Sequence, residues 1–177
     1  IFKRKIYNEL LSWKHEDDGS TAILIKGARR VGKSTIAEEF ARNEYESYIL
    51  IDFTKCSKDI IKLFDDLSDL NHIFLKLQLE YGTTLINRKS VIIFDEVQFC
   101  PKARQAIKHL VADGRYDYIE TGSLITIRKN VQDILIPSEE NEVSMYPMDY
   151  EEFRWAMDDH ATIPLLEKCF MDKTSLG

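Results

Sequence analysis

Gly27-Ala28-Arg29-Arg30-Val31-Gly32-Lys33-Ser34 sets two glycines, a lysine and a hydroxyl in the spacing G-x-x-x-x-G-K-[ST]. Residues of these types in this order make a phosphate cradle. The glycines let the backbone wrap an anion with its N–H groups pointing inward, and a helix starting there adds its positive end. Lys33 is expected to reach the β- and γ-phosphates of a nucleotide, Ser34 to complete a Mg2+ shell, and Thr35 to donate to the α-phosphate. Gly27, Ala28, Arg29, Arg30, Val31 and Gly32 form the loop itself, with Arg29 and Arg30 facing solvent or a partner.

A second group lies some sixty residues downstream, where the apolar run Val91–Phe94 delivers Asp95 and Glu96. Asp95 is expected on a Mg2+-bound water and Glu96 beside the water that attacks the γ-phosphate. A kinase has no attacking water to polarise, so the second carboxylate favours hydrolysis over phosphoryl transfer to a metabolite. A further strand, expected at Tyr116–Glu120, ends in Thr121-Gly122-Ser123. If the sheet places that strand between the two motif strands, Thr121 first and Ser123 second can orient the attacking water. The catalytic set is therefore Lys33, Glu96, Thr121 and Ser123, with Ser34 and Asp95 at the metal. Gln98 is a candidate sensor of the γ-phosphate or a packing residue, and Arg128 a weak candidate for a finger reaching a neighbouring subunit. Asn87-Arg88-Lys89-Ser90 lacks the Asp of an N-K-x-D signature and precedes the acidic-pair strand, which leaves ATP as the nucleotide.

The elements that must position these groups follow from period and punctuation. Short β-branched runs alternate with stretches of helical period, which predicts an α/β fold with a mainly parallel sheet. Helices are expected at Lys3–His15, from the loop to Arg42, at Ser57–Leu67, at Asn71–Tyr81 and at Pro101–Val111, where Pro101 suits a first helical position. Strands are expected at Thr21–Ile25, Tyr48–Phe53, Val91–Phe94, Tyr116–Glu120 and Val143–Tyr146. An acidic helix follows Pro147, and a last one carries Leu165, Leu166 and Phe170.

The chain has 177 residues, 44% apolar and 31% charged, as in a globular domain and unlike a disordered segment. Its net charge of −6 is uneven. From Pro137 onward ten acidic residues face three basic ones, while the preceding part is close to neutral. A general basic footprint for nucleic acid is absent, although Arg29, Arg30, Lys102, Arg104 and Lys108 are candidates for a local one. Cys56, Cys100 and Cys169 form no C-x-x-C pair and sit away from the histidines, so they are expected to be free thiols. No apolar run spans a bilayer and no leader opens the chain, so a cytoplasmic location without membrane contact is expected.

Four segments together resemble the AAA+ branch of P-loop ATPases, and more closely a prokaryotic family of ATPases known as AAA domain family fourteen. They are Ile25–Thr35, Phe94–Pro101, Thr121–Ser123 and Tyr146–Phe153. The resemblance implies a five-stranded parallel sheet in the order 5-1-4-3-2, ATP and Mg2+ as ligands, and hydrolysis dependent on Glu96. It also implies a division into an ATPase core with its N-terminal helix over 1–147 and the helical start of a lid or C-terminal region over 148–177. Family members continue further, so the chain is expected to be the N-terminal part of a longer protein, with its own C-terminal region and ATP-dependent homo-oligomers as partners. ATP hydrolysis coupled to conformational change is the leading reading. Its rivals are a nucleotide-controlled module binding protein or DNA with negligible turnover, and a P-loop small-molecule kinase.

Overall fold

The computed structural model describes residues 4–123, 139–157 and 164–167. Five strands run parallel: β1 (Ala22–Gly27), β2 (Ser47–Asp52), β3 (Ser90–Asp95), β4 (Asp117–Ser123) and β5 (Glu140–Met145). Their order is β2-β3-β4-β1-β5, the predicted order read from the other edge. Helices α1 (Lys5–Asp17) and α2 (Lys33–Glu44) cover one face of the sheet. The other face carries α3 (Lys58–Lys62), α4 (Leu70–Tyr81) and α5 (Pro101–Asp113). Helix α6 (Tyr150–Ala156) follows β5, and residues 164–167 are helical. No helix among the described residues is long and apolar enough to cross a membrane.

A parallel sheet covered on both faces needs strands that are apolar on both sides, and β3 is buried at every position. Its alternate residues divide between two cores. Ile92 and Phe94 pack with Ile73, Leu77, Ile107 and Leu110 beneath α4 and α5, while Val91 and Ile93 pack with Leu10, Trp13 and Phe40 beneath α1 and α2. Leu10 is fully buried, and burial of that side chain alone is worth about 2 kcal/mol. The Phe94 ring meets Phe53, Phe64 and Tyr118 at 5.6, 5.4 and 6.0 Å between centroids, which fixes the strand immediately before Asp95.

The helix boundaries have local causes. Pro101 opens α5 and Gly114, at φ 78°, closes it. Asp69 caps α4 by accepting from His72 N. The predicted helix Ser57–Leu67 is instead α3 followed by a 3-10 turn at Leu63–Asp65. Asp66 ends it by adopting an extended backbone and accepting Ser68 N at 2.9 Å, a local bond that competes with helix continuation. Two strands run three residues past an expected end. β4 continues through Thr121, Gly122 and Ser123, which pair with Ile25, Lys26 and Gly27, and β5 starts at Glu140 because Glu140 to Glu142 already pair with Ala22 to Leu24. Arg128, His160, Cys169 and Phe170 lie outside the described residues.

β1 and β3 flank β4 and all three run parallel, so their carboxyl ends open on one edge of the sheet. With α2 after β1 and α5 after β3 on opposite faces, this edge is where ligands of open α/β sheets bind.

Candidate functional site

The loop after β1 leads directly into α2, and both of its glycines are required for different reasons. Gly32 is the N-cap of α2 with φ 96°, a left-handed conformation that disfavours a side chain. Gly27 has ordinary dihedrals, but a Cβ there would lie 2.3 Å from the Met145 carbonyl oxygen of β5. The close passage of β5, which sequence pattern does not reveal, is what excludes a side chain at Gly27. Ala28, Arg29 and Arg30 are exposed, and Arg30 has φ 64°, so the arginines face outward as expected. Thr35 is exposed in the first turn of α2.

Lys33 is 4% exposed and donates to the loop's own carbonyls, Ala28 O at 2.6 Å and Gly27 O at 3.2 Å. Burial holds its ammonium below the usual lysine range, while Glu96 and Asp95 pull the other way. A buried cation near two carboxylates thus lies at the first turn of a helix.

Asp95 joins the motifs. Its Oδ1 accepts from Ser34 Oγ at 2.6 Å and from Thr121 Oγ1 at 2.6 Å. Three residues from the ends of three elements therefore meet at one oxygen. Ser34 and Asp95 offer hard oxygen donors, one of them a carboxylate, which is the donor set that suits Mg2+. Thr121 Oγ1 also accepts the Glu96 amide at 3.0 Å. Glu96 has φ 56°, an uncommon conformation for a side-chain-bearing residue that carries a strain of about 1 kcal/mol. Its half-buried carboxylate accepts from Gln98 Nε2 at 2.5 Å. Ser123 is buried at the end of β4, paired with Gly27.

The structure thus brings Lys33, Ser34, Asp95, Glu96 and Thr121 together, with Gln98 on Glu96. Thr121 and Ser123 belong to the strand that was expected to run over Tyr116–Glu120; their pairing with β1 keeps them extended.

The candidate basic surface needs correction. Arg104 is 4% exposed and makes a two-point pair with Glu140, Nη2 to Oε1 at 2.7 Å and Nε to Oε2 at 3.1 Å. It points at the sheet because helical period places it beside Ala103 and Ile107, on the buried side of α5. Lys102 pairs with Asp65. Arg104 therefore leaves the proposed nucleic-acid surface.

Two features escaped the sequence reading. Arg4 donates to the Val31 carbonyl in the loop, a contact that no local pattern signals. Glu120, in the middle of β4, is fully buried, and its carboxyl is pushed well above the usual range by burial and by neighbouring Glu140. Its place in a strand that is buried at every position was not signalled, since β4 also carries Asp117, Thr121 and Ser123.

A family model for the AAA domain matches residues 19–154, more than half of the chain. Solved structures that match include Caenorhabditis elegans PCH-2, at 13% identity and TM-score 0.47, covering 97% of this chain and 49% of that one. Another is the Thermotoga maritima RuvB Holliday junction branch migration motor, at 14% identity and TM-score 0.47, covering 89% of this chain and 52% of that one. The chain spans about half the length of these two proteins. No curated protein matches it.

Proposed function

The chain belongs to the AAA domain family, and from that premise we propose that it binds Mg·ATP at residues 27–35 and hydrolyses it to drive a conformational change in a larger protein. The observation that carries this reading is the meeting of Ser34 and Thr121 hydroxyls on Asp95 Oδ1, beside Lys33 and Glu96. Family membership supports the coarser statement, a nucleotide-binding function of ATPase type.

In the proposed mechanism the loop amides and Lys33 bind the phosphates. Ser34 and Asp95 would hold Mg2+, which when bound would neutralise phosphate charge. Glu96 accepts the proton of the attacking water, and Thr121 fixes the angle of Glu96 by holding its amide. Gln98 restrains the Glu96 carboxylate. Residues 1–147 act as the ATPase core, and 148–177 start the region that responds to the nucleotide. ATP-dependent self-association belongs to the same proposal.

Titration calorimetry with ATP and MgCl2, alongside a phosphate-release assay, tests it. Lys33→Ala is expected to weaken ATP binding by about a hundredfold or more. Glu96→Gln is expected to keep affinity within a few-fold and to lower turnover by about a hundredfold. ATP binding undiminished in the Lys33 variant would sink the assignment.

A further inference from the structure

We propose that Arg4 is a positioning residue for the phosphate loop and that Glu152 holds it there, so that the loop and α6 are linked. The inference rests on the nucleotide-binding reading above and extends it to Arg4, outside every motif, and to Glu152, which lies in the segment Tyr146–Phe153 but has no role there so far.

Arg4 stands at the N-cap of α1. Its guanidinium uses all three nitrogens on three separate segments. Nη1 donates to Val31 O at 3.1 Å, Nη2 to Tyr146 O at 2.7 Å, and Nε to Glu152 Oε2 at 3.0 Å. The Arg4 and Glu152 side chains are only 12% and 8% exposed. A planar fork with fixed donors can satisfy three such acceptors at once, and the single ammonium of lysine cannot reproduce that geometry.

The contact with Val31 orients a particular peptide. In a trans peptide the carbonyl and the next N–H point in opposite directions. With the Val31 carbonyl turned to Arg4, the Gly32 N–H faces away from it. Gly32 is the left-handed N-cap of α2, and in the nucleotide-binding reading its amide is one of the loop's inward donors, so Arg4 would fix the direction of one phosphate-binding donor.

Glu152 is anchored just as firmly. Besides Arg4, its Oε2 accepts the Lys5 amide at 2.8 Å, and its Oε1 accepts the Asp149 amide at 3.2 Å. Asp149 returns the bond by accepting Glu152 N at 2.8 Å, which completes a capping box on α6. Lys5 adds pairs to Asp149 and Glu151, both at 2.8 Å. The starts of α1 and α6 are thus interlocked, with the loop attached through Arg4. A shift of the Val31 carbonyl loads this cluster, and by reciprocity the docking of α6 changes the loop's affinity for its ligand.

The test compares the parent chain with Arg4→Lys, Glu152→Gln and the exchanged double variant Arg4→Glu/Glu152→Arg. Mg·ATP affinity is read by calorimetry, melting temperature by circular dichroism, and amide exchange over residues 150–156 with and without ATP. Arg4→Lys and Glu152→Gln are each expected to weaken ATP binding by about tenfold. The exchanged variant is expected to leave affinity low, because a glutamate at position 4 has no donor for the Val31 carbonyl, and to melt no higher than Glu152→Gln, because an arginine at position 152 cannot accept the Lys5 and Asp149 amides. ATP is expected to protect the 150–156 amides in the parent and to protect them less in Arg4→Lys.

Parent-like ATP affinity in Arg4→Lys, or exchange over 150–156 that ignores ATP in the parent, overturns the proposal; so does an exchanged variant that regains affinity. If that double variant does not fold, Arg4→Lys alone decides. Lys33→Ala separates the two levels. Loss of binding there with none in Arg4→Lys defeats only this inference, whereas binding retained in Lys33→Ala defeats the nucleotide reading itself.

Discussion

Thr121 Oγ1 donates to Asp95 Oδ1 at 2.6 Å and accepts the Glu96 amide at 3.0 Å, so one hydroxyl of β4 holds both acidic residues at the end of β3. The strand between the two motif strands serves as their spacer and clamp. Thr121 is fully buried, so neither partner can exchange it for bulk water.

Thr121→Val keeps the shape and removes both hydrogen bonds. It should cost about 1–3 kcal/mol of stability, because the Glu96 amide loses its partner and Asp95 keeps only Ser34. Turnover should fall further than ATP affinity does. Thr121→Ser should restore both. Urea unfolding with phosphate release checks the pair, and a valine variant with unchanged turnover would exclude the clamp.

Gly27 and Gly114 give a matched contrast. Gly27→Ala puts a methyl 2.3 Å from a backbone oxygen of β5, which can yield only if the strand moves. Gly114 has φ 78° with open space around it, so Gly114→Ala meets left-handed strain alone, about 1 kcal/mol. The expected melting temperatures run parent, then Gly114→Ala, then Gly27→Ala, with the last lower by more than twice the shift of the second. Equal shifts would mean that β5 adapts freely.

Glu120 sits within β4 against Arg104, Glu140 and Glu142, and its folded pKa is raised well above the ordinary glutamate value. A raised folded pKa means the folded state holds the proton more tightly than the unfolded one. That contribution is full below the unfolded pKa and is lost as pH rises toward the folded one. Glu120→Gln keeps the shape without a group that must ionise. Its stability relative to the parent should therefore grow between pH 5 and pH 9. Parallel stability curves across that range would show that Glu120 binds its proton no more tightly in the folded state than in the unfolded one.

Much of the site was legible because motif chemistry is local. Eight consecutive residues specify the loop, and a run of four apolar residues followed by two acids specifies the end of β3. The strand order came with the family resemblance rather than from periodicity. What escaped is non-local. The reason Gly27 must be glycine lies in β5, the partner of Arg104 lies on another element, and Arg4 meets Val31 and Glu152 only after the chain folds. Surface appearance also misled for Arg104, since a basic residue on a helix is usually solvated and this one faces the sheet opposite Glu140.

Gln98 supplies a last prediction. Its Nε2 bonds the Glu96 carboxylate, while Thr121 holds the Glu96 backbone, so side chain and main chain are restrained from different directions. Loss of the side-chain restraint should free the carboxylate to leave its working position without altering the loop. Gln98→Ala is therefore expected to lower turnover by about tenfold and to leave Mg·ATP affinity within about twofold, since a factor of ten corresponds to roughly 1.4 kcal/mol of positioning. Gln98→Glu should be worse than alanine, because a second carboxylate would repel Glu96. Its turnover should recover in part toward acidic pH, where the introduced carboxyl takes up a proton. Phosphate release from pH 5.5 to 8 checks this. A Gln98→Glu variant equal to alanine at every pH would show that the amide does not restrain Glu96 during turnover.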